Sequence, residues 1–531
     1  MATAAIAEPM DGHQEDVAPN ARSLAEWLYL PFCVLSLLPF LLIEQPPITD
    51  FANHVARLWI ACNAADPAVA AMYDYRLGII PNLALDLVNV PLCGVVEPDA
   101  VVRGVTAAAL SLVYLSGWLI QRKLFGRPNV FLLGLPALAF NVVTTMGYVN
   151  YLAGVGFACL LIAMTVGDRQ RPVRLLTLGN IGGVLIFFCH IFALVGAILF
   201  FFGRFLGQGR PTVGAILQAG FRTGLMFAAP LLLIPLVASE GAGLDFSYES
   251  KPRLLAAPFM TQHGGLSVNG LLLLFPLFWF MAKGRLALHP SFRMPLSGLG
   301  LFVLLAPSAL QNAVDVDARS AVLLVYLFLA GLHFVRPWSV MERGTALVAG
   351  LVVGLNLLLA STIWVRFDQR VAELRQATGD LPPRVPLLSV ITEVRQPPVA
   401  LPMAYSHLAS YATLDRRIYN PLEFTGVGMQ PMSVRPALLD VDTPAYAPLT
   451  VELTGLMRQP EPGFAERARR ANAGFGLRWP ERFDYVLFYH FGGRPNFAPQ
   501  LLTEVRRGSF FSILKVNRAT SDKQSASARP S

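Results

Sequence analysis

The chain has 531 residues, 54% of them hydrophobic and 14% charged, with a formal net charge of +8 at pH 7 and a mean hydropathy of +0.51. Soluble globular proteins carry about 25% charged residues, and the apolar segments here are too long and continuous for one buried core, which excludes a water-soluble enzyme and describes a polytopic α-helical membrane protein. The positive charge is read as topology and not as nucleic-acid binding, because Lys and Arg collect in the cytoplasmic loops of such chains.

Residues 1–26 read as a cytoplasmic N-terminal tail; the first 22 are polar and carry acids, unlike the basic start of a signal peptide. Residues 27–43 form the first predicted span. Pro46 and Pro47 stop it, since proline cannot donate the backbone bond a continuing helix needs. Thr49-Asp50-Phe51-Ala52-Asn53-His54-Val55-Ala56-Arg57 follows. A helix starting near Asp50 places Asp50, His54 and Arg57 on one face. The plainer alternative is that Thr49 or Asp50 caps a short interfacial helix, with His54 facing water and Arg57 near headgroups. The loop continues to residue 99 and holds Cys62 and Cys93, which could pair in an oxidising compartment.

Further spans are expected at 100–120, 130–145 and 148–166. Residues 175–202 are long for one crossing and short for two, and the basic runs at 169–174 and 204–210 decide between them. Both belong on the cytoplasmic side, so two short spans separate them, turning near Cys189 and His190. The same parity carries the chain through 215–237, 271–281, 296–310, 321–334 and 346–364. The expected count is about eleven crossings, N-terminus inside and C-terminus outside. The loop 44–99, the loop 239–266, the turn 311–319 and the C-terminal part then share the extracytoplasmic compartment of a bacterial inner membrane.

Residues 27–364 thus read as the membrane domain and 365–518 as an extracytoplasmic α/β domain, with 519–531 a polar, disordered tail. Val385-Pro386-Leu387-Leu388-Ser389-Val390-Ile391, Tyr485-Val486-Leu487-Phe488-Tyr489 and Phe510-Phe511-Ser512-Ile513-Leu514-Lys515-Val516 read as strands, and 462–473 as a helix.

No Walker A sequence, dinucleotide fingerprint, Gly-x-Ser-x-Gly or His-Glu-x-x-His occurs. What remains is polar residues at the outer ends of spans. Asp315 and Asp317 read either as a solvated, helix-capping turn or as part of a site. Arg319 begins an outside-to-inside span, where a basic residue is disfavoured, and a guanidinium there suits a phosphate. His190 reads more simply as a packing residue. Asp245, Tyr248, Glu249, Lys251, Arg253 and His263 read as solvated, and His407 as a substrate contact.

An acid directly after the first span, many spans, long outer loops and a C-terminal extracytoplasmic domain together resemble the integral-membrane glycosyltransferases of the GT-C fold, with Thr49-Asp50-Phe51-Ala52-Asn53-His54 at the position of the family's catalytic acid. The resemblance implies transfer of a hexosyl or pentosyl unit from a polyprenyl-phosphate-linked donor to an extracytoplasmic lipid, glycan or protein acceptor. Asp50 would be the general base. Arg319 and Arg57 would serve the phosphate, His54 would orient Asp50 or the acceptor, and Asp315, Asp317 and His407 would line the substrate. The family often shows two acids, whereas Ile48 and Ala52 flank Asp50 here and Glu44 is the next acid upstream. No cofactor follows from the residues, and the resemblance leaves room for a divalent metal ion. Two other classes fit the composition. One is a non-catalytic scaffold for envelope polysaccharide assembly. The other is a transporter or flippase, which the scarcity of ionisable residues within the spans disfavours.

Overall fold

The structure is a computed structural model that describes residues 24–167, 171–207, 212–237, 244–246, 251, 256–261, 269–310, 313–335, 339–391, 403–425, 430–439, 449–450, 479–490 and 501–517. The helix α1 (Leu24–Leu42) is apolar from Trp27 on apart from the buried Ser36, and it ends ahead of the Pro46-Pro47 pair. The helix α2 (Phe51–Cys62) begins directly after Asp50 and is buried on nearly every side of its first two turns. Four helices among the described residues are long and apolar enough to cross a membrane: Leu24–Leu42, Pro98–Phe125, Pro172–Cys189 and Val340–Thr378. A pair bent by 74°, Val213–Met226 with Ala228–Leu236, makes a fifth. Val149–Thr165, Ile191–Leu206, Asn269–Ala282 and Pro290–Leu305 are apolar but shorter.

The break expected at Cys189 and His190 is there. His190 is extended, with φ −169° and ψ 133°, and separates the Pro172–Cys189 helix from the Ile191–Leu206 helix. The span expected at 130–145 is not one continuous helix. It is a 3-10 turn (Val130–Leu133), a short helix (Gly134–Ala137) and a second short helix (Val142–Met146). Asn141 makes the break tolerable. Its Oδ1 accepts from Thr144 N–H at 3.2 Å, and its Nδ2 donates to the Leu138 carbonyl at 2.8 Å and to Tyr326 Oη at 2.7 Å. Non-helical backbone at membrane depth survives where neighbouring protein groups satisfy it in this way. Beside the break, the rings of Phe40, Phe140 and Trp364 pack 5.0–5.2 Å apart and join the end of α1 to the last long helix.

That last helix does not stop at 364. It passes through a π-helical turn (Ala360–Trp364) and continues as Val365–Thr378, with Phe367, Val371, Leu374 and Ala377 buried at helical spacing. A five-stranded sheet follows, in the order Leu502–Arg507, Phe511–Val516, Tyr485–Tyr489, Leu387–Ile391, Leu449–Thr450. Tyr485–Tyr489 runs parallel to Leu387–Ile391 and antiparallel to Phe511–Val516. All three strands predicted from sequence are present, and the predicted helix at 462–473 lies outside the described residues.

Two features tie the loop after α1 to its surroundings. Tyr73–Tyr75 pairs antiparallel with Met432–Val434, so the loop after α1 and the C-terminal part share a strand ladder. A disulfide joins Cys62, at the end of α2, to Cys93.

Candidate active site at the head of the second helix

Asp50 is held by its backbone. Thr49 N–H donates to the Thr145 carbonyl at 2.9 Å, Asp50 N–H donates to the Met146 carbonyl at 3.1 Å, and the Asp50 carbonyl accepts the first bond of α2 from His54 N–H at 2.9 Å. The segment is thereby clamped to the turn that ends the broken 130–146 stretch. Gly147 closes that turn with φ +88°. A Cβ there would stand 2.8 Å from Ile48 Cγ2 and 2.9 Å from Asp50 N, so only glycine suits both the left-handed backbone and the close approach.

The side chain of Asp50 makes no capping hydrogen bond although the residue occupies the N-cap position. The capping role that the sequence allows is therefore not taken up, and the carboxylate is left for other partners. Burial pushes its pKa up to about 7; Arg319 is the strongest charge opposing that rise, Asp315 adds to it and Arg57 opposes it. A carboxyl group poised near neutrality suits proton transfer.

The other residues of α2 are locked. Arg57 is wholly buried, with Nη2 2.9 Å from Asp86 Oδ2 and Nη1 donating to Gln430 Oε1. Asp86 also accepts from Tyr75 Oη at 3.0 Å. The expected headgroup or phosphate role of Arg57 gives way to this buried pair, and its guanidinium acts on Asp50 through its field alone. His54 donates through Nε2 to the Gly147 carbonyl at 2.9 Å, leaving its buried Nδ1 without a partner among the described residues. Burial, and then the charge of Arg57, hold its pKa down at about 3, so His54 is neutral and pins the Gly147 turn; its ring neither faces water nor makes a hydrogen bond to the Asp50 carboxylate among the described residues.

The C-terminal part closes over α2. Asn53 Nδ2 lies 3.2 Å from His407 Nδ1, and His407 Nε2 lies 3.7 Å from Asp50 Oδ1. Phe424 sits edge-on between the rings of His54 and His407, with centroids at 5.5 and 5.3 Å.

On the opposite side, Arg319 lies with its guanidinium carbon 3.5 Å from the centre of the Tyr148 ring. Tyr148 Oη donates to Asp315 Oδ2 at 2.7 Å, and Asp315 itself adopts a left-handed backbone, φ 56° and ψ 34°. Arg319 Nη1 is 3.0 Å from His190 Nε2, and Arg319 Nε is buried without a hydrogen-bond partner among the described residues. His190 therefore does more than pack. Its Nδ1 stands 3.2 Å from Phe192 N–H at the head of the Ile191–Leu206 helix, and its Nε2 faces the Arg319 guanidinium, which can only donate.

Asp317 stands apart from this cluster. It accepts from Lys251 Nζ at 2.7 Å and Ser308 Oγ at 3.2 Å and is fully buried, so it anchors Lys251. Asp245 makes a short strand, and Tyr248, Glu249, Arg253 and His263 lie outside the described residues. No group of three or more His, Cys, Asp or Glu side chains that could hold a metal ion occurs among the described residues. Tyr148 and Phe424 were not singled out from sequence; each is an aromatic in a long apolar or mixed run, and nothing local distinguishes it from a core residue.

Long apolar helices, a broken membrane-depth segment and a polar cluster at the end of the first of them define a polytopic membrane protein. No protein-family model matches the chain, and no curated protein matches it. Two solved structures are similar. One is the archaeal oligosaccharyltransferase AglB from Archaeoglobus fulgidus, in complex with an inhibitory peptide and a dolichol-phosphate, at 11% identity and TM-score 0.39, covering 88% of this chain and 70% of that one. The other is the arabinofuranosyltransferase AftD from Mycobacteria, at 14% identity and TM-score 0.44, covering 94% of this chain and 40% of that one. Both are glycosyltransferases by name, and superpositions this loose leave the functional argument to the site itself.

Proposed function

We propose that the chain is a membrane glycosyltransferase that moves a sugar from a polyprenyl-phosphate donor to an extracytoplasmic acceptor, with Asp50 as general base. The observation that carries this reading is a carboxylate at the exit of the first long apolar helix, free of the capping bond its position invites and poised near neutrality by burial. In the reaction the acceptor hydroxyl gives its proton to Asp50 as its oxygen bonds the anomeric carbon. The bond from that carbon to the phosphate oxygen breaks, and the electron pair leaves with the phosphate.

The leaving phosphate needs donors. Arg319 supports that role, because its buried Nε lacks an acceptor among the described residues, which an anionic oxygen would supply. Tyr148 and Asp315 fix the guanidinium from behind. A site at the end of α1 is where a lipid-borne phosphate would lie. About eleven crossings, an outward C-terminal part and a bacterial inner membrane complete the reading, and the Cys62–Cys93 bridge supports an oxidising compartment for the loop that carries Asp50. The test is transfer from a polyprenyl-phosphate-linked sugar in proteoliposomes. Asp50→Asn should lower turnover about a hundred- to ten-thousand-fold, and retained turnover in a folded Asp50→Asn protein would end the proposal.

A further inference from the structure

We propose that Asn53 fixes the tautomer of His407 so that the imidazole presents an N–H to Asp50, which makes His407 a positioning residue for that carboxylate and not a contact for the sugar. The inference rests on the transferase reading above and deepens it. It begins with the Asn53 amide. Phe424 N–H donates to Asn53 Oδ1 at 2.8 Å, and Asn53 Nδ2 donates to the Leu422 carbonyl at 2.6 Å. A backbone N–H only donates and a carbonyl only accepts, so these two bonds determine which end of the amide is which.

The second hydrogen of Nδ2 then meets His407 Nδ1 at 3.2 Å, and that ring nitrogen has to accept. A neutral imidazole that accepts at Nδ1 carries its proton on Nε2. Nε2 is the atom 3.7 Å from Asp50 Oδ1. Burial keeps His407 neutral, its pKa held down at about 4, so this tautomer is the form present at physiological pH. A gap of 3.7 Å is longer than a closed hydrogen bond, and contacts of this kind tighten when substrate binds. The charges acting on Asp50 from the other elements are Arg319, Asp315 and Arg57. His407 adds a directed donor from the C-terminal part, which orients the carboxylate lone pair and stabilises its ionised form.

Three substitutions separate this role from its rivals. His407→Met removes the N–H at similar bulk, and His407→Gln returns an amide N–H near the Nε2 position. Asn53→Asp replaces the donor by an acceptor, so the ring proton moves to Nδ1 and a lone pair faces Asp50. The full-length proteins are assayed in proteoliposomes with a polyprenyl-phosphate-linked sugar from about pH 5 to 9. Loss of positioning should lower kcat about a hundredfold in His407→Met and Asn53→Asp, leave the donor KM nearly unchanged and move the acidic limb of the rate profile upward. His407→Gln should recover most of the rate. A raised KM with an unmoved limb would make His407 a substrate contact and overturn the proposal.

Thermal melting against pH gives a readout that needs no transfer. The titration belonging to Asp50 is the difference between each protein and its Asp50→Asn derivative, which cancels Glu423 and the other buried groups. Its midpoint should lie higher in the His407→Met background than with His407 intact. An unmoved midpoint overturns the proposal whatever the activity. A moved midpoint in a protein with no detectable transfer upholds the positioning and fails the transferase reading, so the two can be told apart. Where Asn53→Asp does not fold, the pair His407→Met and His407→Gln decides alone.

Discussion

At the scale of single residues, Asp50 stands against its own protein's stability. Its folded pKa, about 7, lies above the value of about 3.9 of an unfolded aspartate. As pH rises from about 4 to 7 the unfolded chain ionises while the folded one stays protonated, so stability falls over that window and the full cost remains above it. Asp50→Asn should therefore melt higher than the wild type at pH 8, by on the order of 2–4 kcal/mol, and equal it near pH 4, while losing turnover. A helix cap would leave Asp50→Asn nearly silent in both measurements, since Asn caps about as well as Asp, and paired melting and activity measurements distinguish the two. His54 and His407 act at the acid end: their folded pKa values, about 3 and 4, lie below the usual histidine value, so both oppose folding as pH falls below about 6.5. At Arg319, Lys keeps the charge but loses the planar fork that lies on the Tyr148 ring. Arg319→Lys should weaken use of the donor and Arg319→Ala should weaken it further; equal donor KM and kcat in Arg319→Ala would remove the phosphate role.

At the scale of elements, the site is made by the helix end at Met146 and the left-handed turn at Gly147. Were the chain to run on helically into Val149–Thr165, the Thr145 and Met146 carbonyls would be taken up inside the helix, and the segment before α2 would have nothing to bond. Gly147→Ala should accordingly displace Asp50 as well as destabilise the fold, because the added carbon meets Ile48 and the Asp50 backbone. The expectation is a fall in kcat larger than the fall in melting temperature explains, measured on folded protein. Sequence made some of these elements plain and hid others for a physical reason. The three strands at 385–391, 485–489 and 510–516 are short apolar runs whose signal is local. The turn at His190 followed from loop charge. The break at Asn141 did not, because what satisfies it is Tyr326, 185 residues away. Asp50 was legible from its place after the first span; the partners of Asn53 lie 354 to 371 residues along the chain and could not be. Arg57 misled for the same reason, its partner Asp86 being invisible in the local pattern.

At the scale of the whole molecule, the loop after α1 and the C-terminal part form one body around Asp50, joined by the Tyr73–Tyr75 and Met432–Val434 ladder, by Asn53 and by His407. Orientation is checked by impermeant thiol labelling of intact cells. Met403→Cys, exposed beside His407, should be labelled from outside, and Arg127→Cys, in the basic turn after the Pro98–Phe125 helix, should not. The reverse pattern would invert the topology and remove the extracytoplasmic acceptor.

The Cys62–Cys93 bridge has a bearing on how the protein comes to exist at all. Asp86, the partner of the buried Arg57, lies in the segment that the bridge closes, and Asn89 donates to the Leu58 carbonyl at 3.1 Å and to Cys62 Sγ at 3.2 Å. On the proposed orientation, with this loop on the oxidising side of the membrane, the chain would mature in two stages: insertion of its helices first, and closing of the bridge only after the loop has been exported. A host without a thiol oxidase would then yield inserted but immature protein, recognisable by free thiols at both cysteines and by a melting temperature lowered by the equivalent of about 2–4 kcal/mol.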